Sequence, residues 1–220
     1  MNIKTHYEDY WRSKKSEDEF FDYERNIKLS GLFLTGEKVL DLGGGDGVVG
    51  AYLQKNIGVN LICADISKEA LIKARKKGLK TVYLNAESKL PFKNNEFDKV
   101  FWGDNVEHLF SPEDALSEIK RVLKKNGKLI LSCPNLGYFR YRISFLLNGC
   151  LPDTEWTGNK PWAWSHIRFF NLAILKEFLF SGGFSVKDVI GINRRVPDRF
   201  LLSLSPSMFG MILLLVAEKR

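Results

Sequence analysis

The sequence predicts an α/β fold, a doubly wound sheet that is mostly parallel and carries helices on both faces. Three observations predict it. Between residues 38 and 133, short apolar runs alternate with amphipathic stretches. Those runs are four to six residues long and mostly apolar, as suits strands covered on both faces. The first of them feeds directly into a glycine-packed turn that opens a helix.

Taken in chain order, residues 1–37 form a helical cover rich in aromatics, with Tyr7, Tyr10, Trp11, Phe20 and Phe21 and with Arg25 among them. Residues 38–220 form the main domain, and 220 residues suffice for one sizeable core. Its strands are expected at Lys38 to Leu42, Asn60 to Ala64, Thr81 to Leu84, Lys99 to Trp102 and Lys128 to Cys133. Helices fill the gaps at Val48 to Lys55, Lys68 to Lys77 and Pro112 to Lys124. The last carries Ser111 as N-cap, Pro112 at the first helical position, acidic residues in its first turn, and a basic last turn before Asn126-Gly127.

Beyond Cys133 the alternation breaks. Residues 134–170 are aromatic-rich and too long for a plain connection, so they read as a binding insertion with a helix around Phe139 to Leu147. Order returns with a helix over Leu172 to Ser181, closed by Gly182-Gly183, and strands at Phe184 to Ile190 and Met211 to Ala217, the C-terminal strand antiparallel. Phe200 to Ala217 holds no charge over 18 positions, the lower limit of a membrane span. Ser203, Ser205, Pro206, Ser207 and Gly210 interrupt it, so Met211 to Ala217 reads as a core strand, and contact with a membrane surface is the less favoured reading.

Composition narrows the function classes. Hydrophobic residues at 45% and charged residues at 27% are ordinary globular usage. Cys63, Cys133 and Cys150 form no CxxC pair, which argues against a disulfide framework and a structural zinc site. The opening MNIKTHYEDYW puts charge where an export signal needs an apolar stretch, so a cytoplasmic location is expected. The net charge of +7 is spread along the chain, with 11 basic and 6 acidic residues in 136–220. That supports moderate attraction to anions without marking a nucleic-acid binder.

The glycine turn admits two readings. Gly45-Asp46-Gly47-Val48-Val49-Gly50 satisfies the dinucleotide pattern GxGxxG, and Asp65 lies 20 residues past Gly45, where a ribose-binding acid belongs. Asp41 before the turn and Asp46 inside it, however, place negative charge where a pyrophosphate would sit. That charge suits a cationic ligand.

The run Val39-Leu40-Asp41-Leu42-Gly43-Gly44-Gly45-Asp46-Gly47 resembles the first motif of class I S-adenosylmethionine-dependent methyltransferases. Asp65, then Asn85-Ala86-Glu87 with Leu90-Pro91-Phe92, then Glu107-His108-Leu109 and Ala115 to Gly127 resemble later segments of that family in the same order. Ser165-His166-Ile167-Arg168-Phe169-Phe170-Asn171 is similar to a His-x-Arg-x-Phe stretch of its small-molecule branch, including a group like the methionine-biosynthesis W proteins. Gly44 and Asn85 depart from the commoner residues of the pattern. The resemblance implies a Rossmann-like, seven-stranded sheet and S-adenosylmethionine as cofactor, with S-adenosylhomocysteine as product.

By that resemblance Asp41, Gly43, Gly44, Gly45 and Gly47 hold the methionine end, and Asp65 the ribose. Ile66 meets the adenine face, Asn85, Ala86 and Glu87 its edge, and Gly103 and Asp104 close the pocket. Plain core packing also explains Ile66, and a helix cap also explains Asp65, although Ser67 can serve as that cap.

Methyl transfer needs an oriented acceptor and, for a hydroxyl or amine, a base. The catalytic candidates are His108, His166 and Asp104. Asp104, Glu107 and His108 also resemble an acidic-histidine set that binds a divalent metal in some quinone-pathway O-methyltransferases, but no metal ligand is assigned. Trp156, Trp162 and Trp164 either wall the acceptor or pin the insertion to the sheet.

The resulting expectation is methylation of a small-molecule acceptor, at oxygen before nitrogen or carbon. Nucleic-acid methylation is disfavoured, because Trp102-Gly103-Asp104-Asn105-Val106 follows the fourth strand with no Asn/Asp-Pro-Pro-aromatic grip for a flipped base. The alternatives are an NAD(P)-dependent oxidoreductase and a noncatalytic S-adenosylmethionine-binding subunit that works through a partner.

Overall fold

The computed structural model describes residues 3–14, 23–154, 165–193 and 199–220. Phe20, Phe21, Trp156, Trp162 and Trp164 lie outside them, so the roles expected of these aromatics rest on the sequence alone. The sheet contains β1 (Lys38–Leu42), β2 (Asn60–Asp65), β3 (Lys80–Tyr83), β4 (Phe97–Gly103), β5 (Leu123–Pro134), β6 (Phe184–Ile192) and β7 (Ile212–Lys219). Their spatial order is β3-β2-β1-β4-β5-β7-β6. β7 runs antiparallel to both of its neighbours, and every other pairing is parallel. The expected seven-stranded, mostly parallel sheet is therefore present.

Among the described residues the longer helices are α1 (Ile3–Ser13), α2 (Tyr23–Ser30), α3 (Val48–Ile57), α4 (Lys68–Lys76), α5 (Pro112–Val122), α6 (Phe139–Asn148) and α7 (Leu172–Ser181), and a single-turn helix, α8 (Pro206–Phe209), precedes β7. Among the described residues no helix is long and apolar enough to cross a membrane.

Alternation along the strands divides the core in two. Leu40, Val100, Trp102, Leu129, Leu131 and Leu215 point to the face covered by Leu116 and Ile119 of α5 and Leu175 and Leu179 of α7. Val39, Leu61, Cys63, Phe101, Ile130 and Leu214 point to the opposite face, covered by Leu29 of α2, Leu53 of α3 and Leu71 of α4. Leu29 and Phe33 are thus buried with the sheet, so the stretch leading into β1 is part of the main core.

Two local expectations need correction. The helix expected to reach Lys124 ends at Val122, and Leu123 already pairs with Phe97 as the start of β5. A register shift in that ladder and Asn126 at φ 67° absorb the polar residues that look like a helix end. Ser111 is the N-cap residue of α5, but its side chain makes no capping bond. The Glu87 carboxylate instead accepts the Ser111 N–H, and so satisfies a donor at the helix start from another segment.

The topology gathers the functional segments on one edge. β1, β2, β4 and β5 all end on the same side of the sheet, and Pro134 pairs with Ile212 at the start of β7. The glycine turn, the loop after β4, the insertion after β5 and the β6–β7 connection therefore share this rim. In open α/β sheets it is the edge that binds ligands.

Candidate functional site

The glycine turn sits where the strand order reverses, between β1 and β4. Asp41 at the end of β1 is buried beneath it. A Cβ on Gly44 would lie 2.7 Å from both Asp41 Oδ2 and Cys63 Sγ, so only bare backbone passes over this carboxylate. Gly43, Gly45 and Gly47 all have positive φ, and Gly47 precedes α3 as its N-cap residue.

Asp65 locks the turn from the neighbouring strand. Its Oδ2 accepts the Gly45 N–H at 2.9 Å and its Oδ1 the Ser67 N–H at 2.8 Å. The helix-cap duty falls to Ser67, whose hydroxyl accepts the Ala70 N–H of α4. Burial raises the Asp65 pKa, and the backbone donors at Ser67, Gly45 and Ile66 oppose the rise. Asp46 pairs with Lys77 at 3.1 Å. Burial first, then the charges of Asp41, Asp65 and Asp46, with Lys77 opposing them, drive the Cys63 thiol well above its usual value.

α1 supplies a roof. A Cβ on Gly45 would come within 2.5 Å of Trp11 Cζ2, so the indole lies directly against the turn. Three residues earlier, on the same face of α1, Glu8 accepts from the Ser67 hydroxyl at 2.9 Å and from the N–H groups of Lys68 and Glu69 at the start of α4. Lys73 of α4 donates to the Trp11 carbonyl at 2.5 Å. Glu8 escaped the sequence reading, because its partners at the start of α4 are remote from it in sequence.

Ile66 follows β2 and is half-buried, and Ala86 is buried. Asn85 Oδ1 accepts the Glu87 N–H at 3.0 Å, which shapes the loop after β3. Glu87 turns to the start of α5, as described above, so one of its oxygens is already engaged there.

The loop after β4 completes the rim. Asp104 takes φ 47°, its N–H donates to the Ser132 carbonyl at 2.8 Å, and its Oδ1 accepts the Ser132 hydroxyl at 2.9 Å. Asn105, also missed in the sequence, accepts from Trp102 Nε1 at 2.9 Å and packs on Gly43, where a Cβ would meet its amide nitrogen at 2.4 Å.

Glu107 lies in a 3₁₀ turn, Val106–His108, and is 2% exposed. Neither carboxylate oxygen has a hydrogen-bond partner among the described residues. Burial, reinforced by Asp104, raises its pKa well above the ordinary value. The insertion returns here: Ile167 and Arg168 donate their N–H groups to the Glu107 carbonyl, and Arg168 Nε donates to that of Leu109 at 2.9 Å. This brings His166 Nε2 to 3.8 Å from Glu107 Oε1, while Thr154 Oγ1 bonds His166 Nδ1 at 2.7 Å. The His108 and His166 rings are 4.7 Å apart, and His108 Nδ1 lies 3.1 Å from the Ser165 carbonyl.

The ligand atoms of Glu107, His108 and His166 all fall within 4.8 Å of one another. Groups at that spacing can share a proton or hold a divalent cation. Asp104, expected in such a set, spends Oδ1 on Ser132, and His166 occupies its place. A small cavity lined by Glu107, Thr154, His166, Arg168, Phe169 and Phe170 opens beside the cluster.

Comparison with known proteins adds a family and a fold likeness to this geometry. The family model for methionine biosynthesis protein MetW matches residues 24–217. An uncharacterized protein of Methanocaldococcus jannaschii is 32% identical over 131 residues, 60% of each chain. A Pseudomonas fluorescens ubiquinone/menaquinone biosynthesis C-methyltransferase, UbiE, is 35% identical over 115 residues, 48% of this chain and 44% of that one. The chain therefore spans about half the length of these two relatives. Among solved structures, a Thermotoga maritima S-adenosylmethionine-dependent methyltransferase, described as a possible histamine N-methyltransferase, superposes with a TM-score of 0.67. The superposition covers 90% of this chain and 89% of that one at 22% identity, a likeness that establishes the fold.

Proposed function

The chain belongs to the methionine biosynthesis protein MetW family, and from that membership and the charge of the site we propose that it is an S-adenosylmethionine-dependent methyltransferase acting on a small molecule, at oxygen. The observation that supports the reading is the Asp41 carboxylate, buried beneath a glycine turn whose backbone is bare, with the Asp65 carboxylate tied to that turn at Gly45. A diphosphate would be repelled there, whereas a ligand bearing sulfonium and ammonium charges is favoured.

When bound, S-adenosylmethionine supplies a methyl group on a positively charged sulfur, which keeps the electron pair of the broken carbon–sulfur bond as S-adenosylhomocysteine leaves. The protein's part is orientation and proton management. Asp65 and the Gly43–Gly47 backbone hold the cofactor, Trp11 covers it, and Asn85 and Ile66 contact the adenine. His166 takes the proton of the acceptor hydroxyl on Nε2, while Thr154 fixes its ring through Nδ1. His108 and the buried acid Glu107 flank that proton.

Titration calorimetry tests the reading. Binding of S-adenosylhomocysteine without binding of NADH supports it, and the reverse result replaces it with a nicotinamide-dependent oxidoreductase. With cofactor binding in hand, turnover across a panel of hydroxylated acceptors separates an enzyme from a noncatalytic subunit.

A further inference from the structure

α6 exposes the wrong residues for a helix surrounded by water. None of its ten residues is buried. Leu146 is 83% exposed, Leu147 75%, and Ile143 and Phe145 51% each. Surface helices ordinarily turn polar side chains outward, and contiguous exposed apolar surface marks contact with another apolar phase.

A second exposed apolar group lies nearby. Phe200, Leu204 and Met208, in the β6–β7 connection, are 72%, 74% and 43% exposed. Met211 to Ala217 is buried, as the core-strand reading expects, so the apolar surface lies in the half of that uncharged stretch before the strand. The two groups are joined: the Phe139 ring meets the Phe209 ring edge-on at 5.4 Å, and Asn135 donates to the carbonyls of Ser207 and Gly210. Both stand on the rim of the sheet that carries the candidate site.

Charge identifies the occupant. Residues 136–152 contain Arg140 and Arg142 and no acidic residue, and residues 199–217 contain Arg199 and none. All three arginines are exposed. A two-fold contact with a second copy would bring these arginines together without any carboxylate from either segment, an arrangement that repels. A surface that is apolar within and anionic at its boundary fits both features.

We propose that α6 and the Phe200–Phe209 segment form a membrane-docking rim that seats on a bilayer containing anionic lipids. The apolar side chains enter the headgroup boundary and the arginines meet lipid phosphates. This goes beyond the methyl-transfer reading and does not depend on it.

Co-sedimentation of the full chain with phosphatidylcholine vesicles, and with vesicles that also contain phosphatidylglycerol, tests the proposal. The expected result is retention on the anionic vesicles that is about tenfold weaker, or more, in L146E/L147E. R140E/R142E is expected to lose the preference for phosphatidylglycerol. L146E/L147E changes exposed side chains and should match the parent protein in circular dichroism and Tm, whereas R140E/R142E also removes the Arg142 Nε bond to the Gly137 carbonyl and should keep the parent's circular dichroism with a slightly lower Tm. Absence of binding to anionic vesicles overturns the proposal, as does undiminished binding by either double variant. It is equally overturned if the parent sediments as a dimer that L146E/L147E dissociates while vesicles capture neither protein.

Discussion

Asp65 accepts the Gly45 N–H at 2.9 Å across 20 residues of sequence, and so ties the tip of the glycine turn to the end of β2. One buried carboxylate thus shapes the turn, and it is also the acid to which the family resemblance gives the ribose. Asp65→Ala should weaken S-adenosylhomocysteine binding by about tenfold or more, roughly 1.4 kcal/mol at the least. Asp65→Asn keeps the acceptor oxygen for one N–H and should fall between the two. Calorimetry reads this directly, and an unchanged Kd in Asp65→Ala removes the residue from the site.

Trp11 packs against the same turn, so a cofactor seated as proposed exchanges only when this part of α1 moves. Trp11→Ala should speed S-adenosylhomocysteine dissociation by about tenfold while leaving association nearly unchanged, the usual kinetic signature of a lost cover. Stopped-flow quenching of the remaining tryptophans follows both rates. Equal off-rates would make α1 a bystander.

Gly44→Ala tests the floor of the turn. The added methyl would overlap Asp41 Oδ2 and Cys63 Sγ, both at 2.7 Å, and neither belongs to a long side chain that can swing away. Overpacking of this kind should cost about 1–3 kcal/mol. Urea denaturation measures it, and a variant as stable as the parent would show that the turn has room to relax.

The difference between what the sequence revealed and what it hid is one of range. Strands β1 to β4 and the Lys128 to Cys133 part of β5 were legible because each is a short apolar run between turn residues, and Asp41, Gly44 and Asp65 because a strand, a turn and a strand end place them locally. The end of α5 was misjudged because Lys124 and Lys125 suit a helix terminus as well as an exposed strand start, and the pairing of Leu123 with Phe97 decides between them. Glu8 lies 59 residues from Ser67, and Thr154 meets His166 only because the insertion folds back on Glu107. No local pattern encodes such meetings. The same fold-back gave His166, singled out as a base, the buried carboxyl neighbour that the sequence could not supply.

His166 carries the proton step in the proposed mechanism. With a hydroxylated acceptor, His166→Ala should lower kcat by about 10²–10⁴ and leave cofactor affinity alone. Thr154→Val, which leaves Nδ1 without its partner, should reduce kcat less and shift the pH profile of kcat/KM. Full activity in His166→Ala would return the role of base to His108 or to the acceptor itself.

Glu107 makes the sharpest pH prediction. Its folded-state pKa is raised, first by burial and then by Asp104, so the folded protein holds this proton more tightly than the unfolded chain does. Between the unfolded carboxyl pKa and the raised folded value, the unfolded state has already released the proton that the folded state keeps. Stability therefore falls as pH rises through that window. Glu107→Gln keeps the shape and removes the titration, so it should match the parent at pH about 4 and exceed it at neutral pH by about 1–3 kcal/mol. Chemical denaturation of the apo protein across pH, in chelator-containing buffer, gives the comparison. A variant that is less stable than the parent at neutral pH would mean that the carboxylate is charged and compensated in the folded state, and the neutral-acid role assigned to Glu107 would fall with it.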